Sequence, residues 1–355
     1  MSLSELITPS RRVAFVGLAK NTGKTEALAC TLRELRARGR SVGVTSVGRD
    51  GEDRDAIDLR IAKPRIELPA WSLVASTDTL LRSCPVAHET LVETGIRTPL
   101  GRVVVARLLA AGTVEVAGPS AAGDVRAVAD TMLAHGAEQV LIDGALDRRA
   151  ASSPGVSDGL VMSTGAVLHG EIQRVVACTR VAVGIARLAA LDERSEIGRR
   201  VRALARARRE SLLVGEPDEH PVALPPRFAL QATRRDIAAL LAENPRAEHL
   251  LVRGALCESF VDDLRRAARG RELTVAVADS AKVFVTRRSC EWYERQGIAI
   301  RVLAPIYLRA LTVNPVAPQS HRFDSPRLLA LLREAIPDVA IVDVRERAYG
   351  LAPAA

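Results

Sequence analysis

The triplet Gly23-Lys24-Thr25 follows closely on an apolar run, Val13-Ala14-Phe15-Val16-Gly17, and opens a stretch with helical spacing. A strand that passes through a short loop into a helix turns successive N–H groups and the positive end of a helix dipole toward one point, which makes an anion site. In that setting Gly23 lets the backbone close on phosphate, the Lys24 ammonium neutralises β- and γ-phosphate oxygens, and the Thr25 hydroxyl ligates Mg²⁺. Ala19, Lys20, Asn21, Thr22 and Glu26 complete the candidate nucleotide contacts. One feature departs from the phosphate-loop pattern. Leu18 stands where the first glycine is expected, and Gly17 comes one residue early.

A second chemical signal lies downstream, at Gln139-Val140-Leu141-Ile142-Asp143-Gly144. A buried apolar strand ending in Asp places a carboxylate on Mg²⁺ beside the loop hydroxyl, so Asp143 is the expected metal carboxylate. Asp147 and Arg148 are either phosphate contacts or a surface turn. The acidic loop Ser46–Asp55 offers a further carboxylate for the metal or the attacking group. Asp50 comes first there, because adjacent glycines permit a tight turn, with Glu52, Asp53 and Asp55 as alternatives and a solvated loop as the plain reading. The catalytic set is therefore Lys24, Asp50 and Asp143, and the metal set Thr25, Asp50 and Asp143.

Composition sharpens the lysine. The basic residues are almost all Arg, and Lys occurs only at 20, 24, 63 and 282, so two of the four lie in the loop. Where Arg is the default, a compact ammonium on a flexible stem has been kept where phosphate chemistry needs one. The net charge of +8 comes from Arg spread over helical faces such as Arg199–Arg209, without interleaved aromatics, so nucleic acid is not the expected partner. No apolar stretch is long enough to span a membrane. The scattered cysteines show no metal or redox spacing, and with no secretory signal order at Met1–Ile7 the expected compartment is the cytoplasm.

Hydrophobic content of 48% over 355 residues supports two domains. Strand and helix signals alternate, which predicts α/β architecture: a mostly parallel sheet with helices on both faces, then a second, smaller α/β domain. Helices are expected at 26–38, 125–135, 167–191, 193–213, 260–268, 287–296 and 326–335. Strands are expected at 41–45, 71–75, 101–107, 113–117, 139–143, 157–165, 249–252, 274–277, 298–303, 310–313 and 339–344, and that at 157–165 ends in small polar residues, Ser163-Thr164-Gly165, on the side where such sheets bind ligands. The Pro-rich stretch 215–226 reads as a linker, dividing residues 1–214, which bind nucleotide, from 227–355. Asp279, Lys282, Thr312, Asn314 and Asp343 stand near strand ends of that last segment and read as ordinary loop polar residues or as the lining of a cleft.

Two resemblances follow from these residues. The loop Gly17-Leu-Ala-Lys-Asn-Thr-Gly23-Lys24-Thr25 resembles that of dethiobiotin synthetase and its relatives, in which the first glycine is also one place early. Together with Ile142-Asp143-Gly144-Ala145 it places residues 10 to about 195 in the likeness of the SIMIBI class of P-loop proteins. That likeness implies Mg-ATP or Mg-GTP, with ATP preferred, and a homodimer across the nucleotide, toward which Lys20 would reach. Secondly, Thr45–Glu52, Glu93–Gly101, Ala117–Ser120, Ile142–Arg148 and Thr312–Pro315 resemble reactivase subunits of lysine 5,6-aminomutase. This resemblance implies ATP turnover that serves a cobalamin-dependent partner enzyme. The other expectation is an enzyme that activates a small carboxylate with ATP, although Lys63-Pro64 lies farther from the second strand than in dethiobiotin synthetases.

Overall fold

The computed structural model describes residues 2–48, 65–144, 153–216, 218–318 and 321–344. Two compact units make up the chain, one from Met1–Thr179 with Tyr307–Ala355, the other from Arg180–Ile306. The first unit runs α1 (Leu3–Ile7), β1 (Arg12–Gly17), α2 (Lys24–Ala37), β2 (Val42–Ser46), β3 (Arg65–Leu68), β4 (Leu73–Thr77), α3 (Asp78–Arg82), β5 (His88–Thr98), β6 (Gly101–Leu108), β7 (Gly112–Glu115), α4 (Ala122–Ala134), β8 (Gln139–Asp143), β9 (Gly159–Gly165) and the start of α5 (Ile172–Ala186). The second adds α6 (Glu196–Ala207), β10 (Leu212–Val214), β11 (Val222–Ala223), α7 (Phe228–Gln231), α8 (Arg234–Glu243), β12 (His249–Val252), β13 (Leu256–Cys257), α9 (Glu258–Ala268), β14 (Leu273–Val277), β15 (Val283–Phe284), α10 (Cys290–Arg295) and β16 (Ile298–Val302). The chain then re-enters the first unit as β17 (Leu308–Asn314), α11 (Ser325–Ala335) and β18 (Ile341–Asp343).

The large sheet has nine strands in the order β18-β17-β9-β1-β8-β2-β4-β6-β5. From β18 to β4 every pairing is parallel, and only the two pairings of β6, with β4 and with the edge strand β5, are antiparallel. Strands β2, β4, β8 and β9 are buried along their whole length, apolar in their bodies and ending in polar residues at the carboxyl edge, as in a parallel sheet covered on both faces. Leu3, Ile7, Ala27, Leu28, Leu32 and Leu35 of α1 and α2 pack with Val13, Phe15, Val44 and Leu141 on one face. On the other face α4 buries Val125, Val128, Ala129 and Met132, and Met132 Sδ fills the space over Gly43.

Several expectations change. The boundary at 215–226 does not divide the chain: that Pro-rich stretch lies inside the second unit and contains β11, which pairs antiparallel with β10. The last two parallel strands are apolar enough to extend the first sheet, so 307–355 belongs there. The helix expected at 167–191 forms only over α5, and that at 193–213 stops at Ala207, leaving Leu212–Val214 as a strand. The strand expected from Trp71 begins at Leu73, because Trp71 sits in the left-handed region at φ 69°. The strands expected at 101–107 and 113–117 pair in different sheets. β6 pairs with β4 and β5, while β7 pairs with β3 in a separate two-stranded sheet. The edge strand β5 is half exposed and its apolar and polar residues do not alternate cleanly, which hides it from a period-2 search.

In the second unit the sheet order is β11-β10-β12-β14-β16, with β12, β14 and β16 parallel. Its arginines do internal work. Arg271 donates to the carbonyls of Leu241, Asn244 and Ala247, and Arg253 to those of Ala205 and Arg208, so guanidinium groups close the carboxyl ends of helices. At the start of α9 the Glu258 carboxylate accepts the N–H groups of Thr286, Arg287 and Arg288 and the Thr286 hydroxyl. Burial pushes its pKa up, but those N–H donors and the Arg287 guanidinium outweigh burial and hold it below the usual carboxylate range. Its contribution is therefore full above about pH 4.5 and is lost as acid takes the pH down through the folded value. Glu258→Gln is expected to cost about 2 kcal/mol in urea unfolding at pH 7 and to flatten the acid loss of stability; an unchanged midpoint would remove this role.

Candidate functional site

β1 delivers the chain to the sheet's carboxyl edge at Gly17, and α2 starts at Lys24. The early glycine has a steric cause. A Cβ on Gly17 would stand 2.5 Å from Thr22 Oγ1 and 3.1 Å from the Ala19 carbonyl, so the loop folds back onto that position. Thr22, only 1% exposed, donates its hydroxyl to the Ala19 carbonyl at 3.0 Å and pins the fold-back. Asn21 and Gly23 take left-handed φ values of 64° and 88°, which Asn tolerates and Gly adopts freely. The Gly23 carbonyl accepts the Ala27 N–H at 2.9 Å, so the N–H groups of Lys24, Thr25 and Glu26 precede the helix's own ladder.

β8 lies beside β1 in parallel register, with Asp143 opposite both Phe15 and Ser46. The Gly144 N–H donates to the Phe15 carbonyl and the Val47 N–H to the Asp143 carbonyl, both at 2.9 Å. These bonds fix the end of β8 between the ends of β1 and β2. There Lys24 Nζ is 2.9 Å from Asp143 Oδ1 and also donates to the Gly144 carbonyl. Side-chain exposure is 16% for Lys24 and 9% for Asp143, so the pair is largely dry. A cation at a helix N-terminus opposes the dipole, and the Asp143 carboxylate offsets it. An incoming polyanion can take over that task, which frees the carboxylate for a metal ion.

The structure thus brings together Ala19, Lys20, Asn21, Thr22, Gly23, Lys24, Thr25 and Glu26 on one loop and helix turn, with Asp143 facing Lys24. Lys20 and Thr25 are exposed there. Asp50, Glu52, Asp53, Asp55, Asp147 and Arg148 lie outside the described residues. Three residues expected in a separate C-terminal domain belong to this sheet: Thr312 and Asn314 on β17, and Asp343 on β18. Asn314 Nδ2 donates to the Asn21 carbonyl at 3.1 Å, a contact with the loop that sequence reading did not anticipate. Its signal was present, since 310–314 is another apolar run ending in a polar residue, but the assumed domain boundary concealed it. Ser163, in the small polar end of the strand expected at 157–165, also lies at this edge. Its carbonyl accepts the Leu18 N–H at 2.9 Å, and its hydroxyl pairs with that of Thr312 at 2.7 Å. Asp279 and Lys282 stay in the second unit, where Asp279 accepts the Ala281 N–H and caps a short turn.

A second wall of the same edge comes from Gly118 and Pro119. The Gly118 N–H donates to Ser46 Oγ at 2.9 Å, and the Gly48 N–H to the Pro119 carbonyl at 2.8 Å. Among the described residues no group of three or more His, Cys, Asp or Glu converges to hold a metal. Mg²⁺ does not need such a cage, since it binds through one or two carboxylates plus phosphate oxygens and water. The Thr25 hydroxyl on the first turn of α2 and the Asp143 carboxylate, which faces Lys24, are donors of the kind such an ion takes.

Comparison with protein-family models, curated proteins and solved structures gives no match. Gly17→Ala tests the loop's own geometry. The added methyl is expected to force Thr22 aside at a cost of about 1–3 kcal/mol in denaturant unfolding; unchanged stability would mean the fold-back is loose.

Proposed function

We propose that this chain is a P-loop protein of the SIMIBI type that binds Mg-ATP, hydrolyses it, and uses the turnover to drive a reactivase-like or chaperone-like action on a partner enzyme. The observation that carries the nucleotide reading is the Lys24–Asp143 pair, 2.9 Å apart at the carboxyl ends of adjacent parallel strands. Strand order adds support, because ligands of open parallel sheets bind beyond the strand carboxyl ends where the connections reverse. From β1 the chain crosses to β2, leaving room for β8 between them, and places β9 on the other side of β1.

In this reading the Lys24 ammonium moves from Asp143 to the β- and γ-phosphate oxygens and neutralises charge there. N–H groups of the loop and of the first α2 turn orient the phosphates. Thr25 and Asp143 would hold Mg²⁺, which supplies further neutralisation of the phosphate charge. Water oxygen bonds to the γ-phosphorus as the bond from that phosphorus to the β–γ bridging oxygen breaks. The bond's electron pair leaves with ADP, and the water proton passes to solvent or a nearby carboxylate. ATP rather than GTP rests on the resemblance alone, as do the homodimer and the cobalamin-dependent character of the partner.

A second reading is favoured by the Ser46–Gly48 turn and the Gly118–Pro119 loop, which are knitted together beside Asp143. They furnish a polar wall for a small acid, so the γ-phosphoryl group would pass to a carboxylate, as in dethiobiotin synthetase. Turnover measured for the protein alone, with small carboxylic acids, and with cobalamin-dependent enzymes separates the two readings. Turnover that depends on an acid would overturn the first.

Lys24→Ala is expected to abolish Mg-ATP binding in calorimetry, and retained affinity would remove the phosphate-loop assignment. Asp143→Asn is expected to keep binding and to lower Mg-dependent turnover at least about tenfold, on the order of 1.4 kcal/mol of barrier. Undiminished turnover would take the metal role away from Asp143.

A further inference from the structure

Asn314 ends β17, is 9% exposed, and spends both halves of its amide. Its Nδ2 donates to the Asn21 carbonyl at 3.1 Å, and its Oδ1 accepts the Val316 N–H at 3.1 Å. The two bonds call for one and the same amide orientation. The contact is close as well as polar: a Cβ on Gly23 would stand 3.2 Å from Asn314 Cβ. The carbonyl it grips belongs to a stretch in which Asn21 and Gly23 both hold left-handed φ. Such a conformation persists where surrounding groups determine it.

The peptide bond after Asn21 is trans, so its C=O and N–H point in opposite directions. Whatever holds the Asn21 carbonyl therefore also aims the N–H of Thr22, a loop donor. We infer that Asn314 is a positioning residue of the phosphate loop: by anchoring the Asn21 carbonyl it fixes the direction of the loop N–H groups that receive the polyphosphate. This rests on the nucleotide reading of the site. It makes β17, which starts just after the second unit ends at Ile306, the strand that sets the loop's shape.

Inorganic tripolyphosphate is the discriminating probe, because it has phosphates and no nucleoside. Affinities of wild-type protein, Asn314→Leu and Asn314→Gln for Mg-tripolyphosphate and Mg-ATP are compared by calorimetry, with urea unfolding of each unligated protein. The expected result is an equal loss for both ligands, about fivefold to tenfold, in Asn314→Leu, with substantial recovery in Asn314→Gln, which keeps an amide donor. If Asn314→Leu does not fold, Asn314→Ser replaces it, since its hydroxyl can still accept from Val316 but is too short to reach Asn21. Loss for ATP with tripolyphosphate unchanged would overturn the inference, because Asn314 would then act on the nucleoside. Unchanged affinity for both would overturn it too, and so would equal losses that merely track an equal fall in unfolding midpoint. Wild-type protein that binds neither ligand would instead bring down the nucleotide reading itself, and this inference with it.

Discussion

A lysine on the first turn of a helix, mostly removed from water, needs an anion. That requirement governs the first unit. Lys24 cannot hold its place on α2 unless Asp143 or a ligand faces it, and Asp143 faces it only because β8 lies against β1 with Asp143 opposite Phe15. The register of one strand pair therefore decides whether the helix N-terminus is stable or strained. The rest follows from placing β8 there: β2 is displaced by one position, α2 must cross over β8, and α4 takes the opposite face. Removing either partner leaves a charge in a dry place, which costs more than the pair itself contributes. Exchange of partners, anion for carboxylate, is the low-cost change open to this site.

How much of this was legible in the sequence differs between elements, for physical reasons. The strand–loop–helix unit at 13–37 and the strand ending at Asp143 are local features: a buried parallel strand writes its whole length in apolar residues, and α2 shows its face in Ala27, Leu28, Leu32 and Leu35. The off-register Gly17 was legible as an anomaly but not as a cause. The near approach of Thr22 depends on the loop's path, which no spacing rule encodes. The contact of Asn314 was hidden for a different reason. Its strand looks like any other apolar run, and only pairing with β9 assigns it to the first sheet.

The misplaced domain boundary has the same origin. A Pro-rich stretch lowers helix and strand propensity whether it joins domains or lies within one, and here it carries β11, which pairs back onto β10. Burial breaks the tie in the structure: Leu311, Val313 and Val344 are fully buried in the first unit although they follow a long excursion through the second. The arginine excess also changes meaning once contacts are known. Guanidinium groups that close helix ends onto carbonyls, as Arg253 and Arg271 do, account for part of a charge that composition alone would assign to the surface.

The bond between Asn314 and Asn21 joins residues 293 positions apart. A chain made from its amino end exposes the loop before the partner of Asn21, which comes only after the whole second unit. Contacts of such long separation form late, because loop closure is costly until much of the structure is in place. The growing chain thus carries the loop and its lysine through the making of the second unit without β17. The bond between Asn314 and Asn21 thus forms only once the chain has been threaded back into its first sheet.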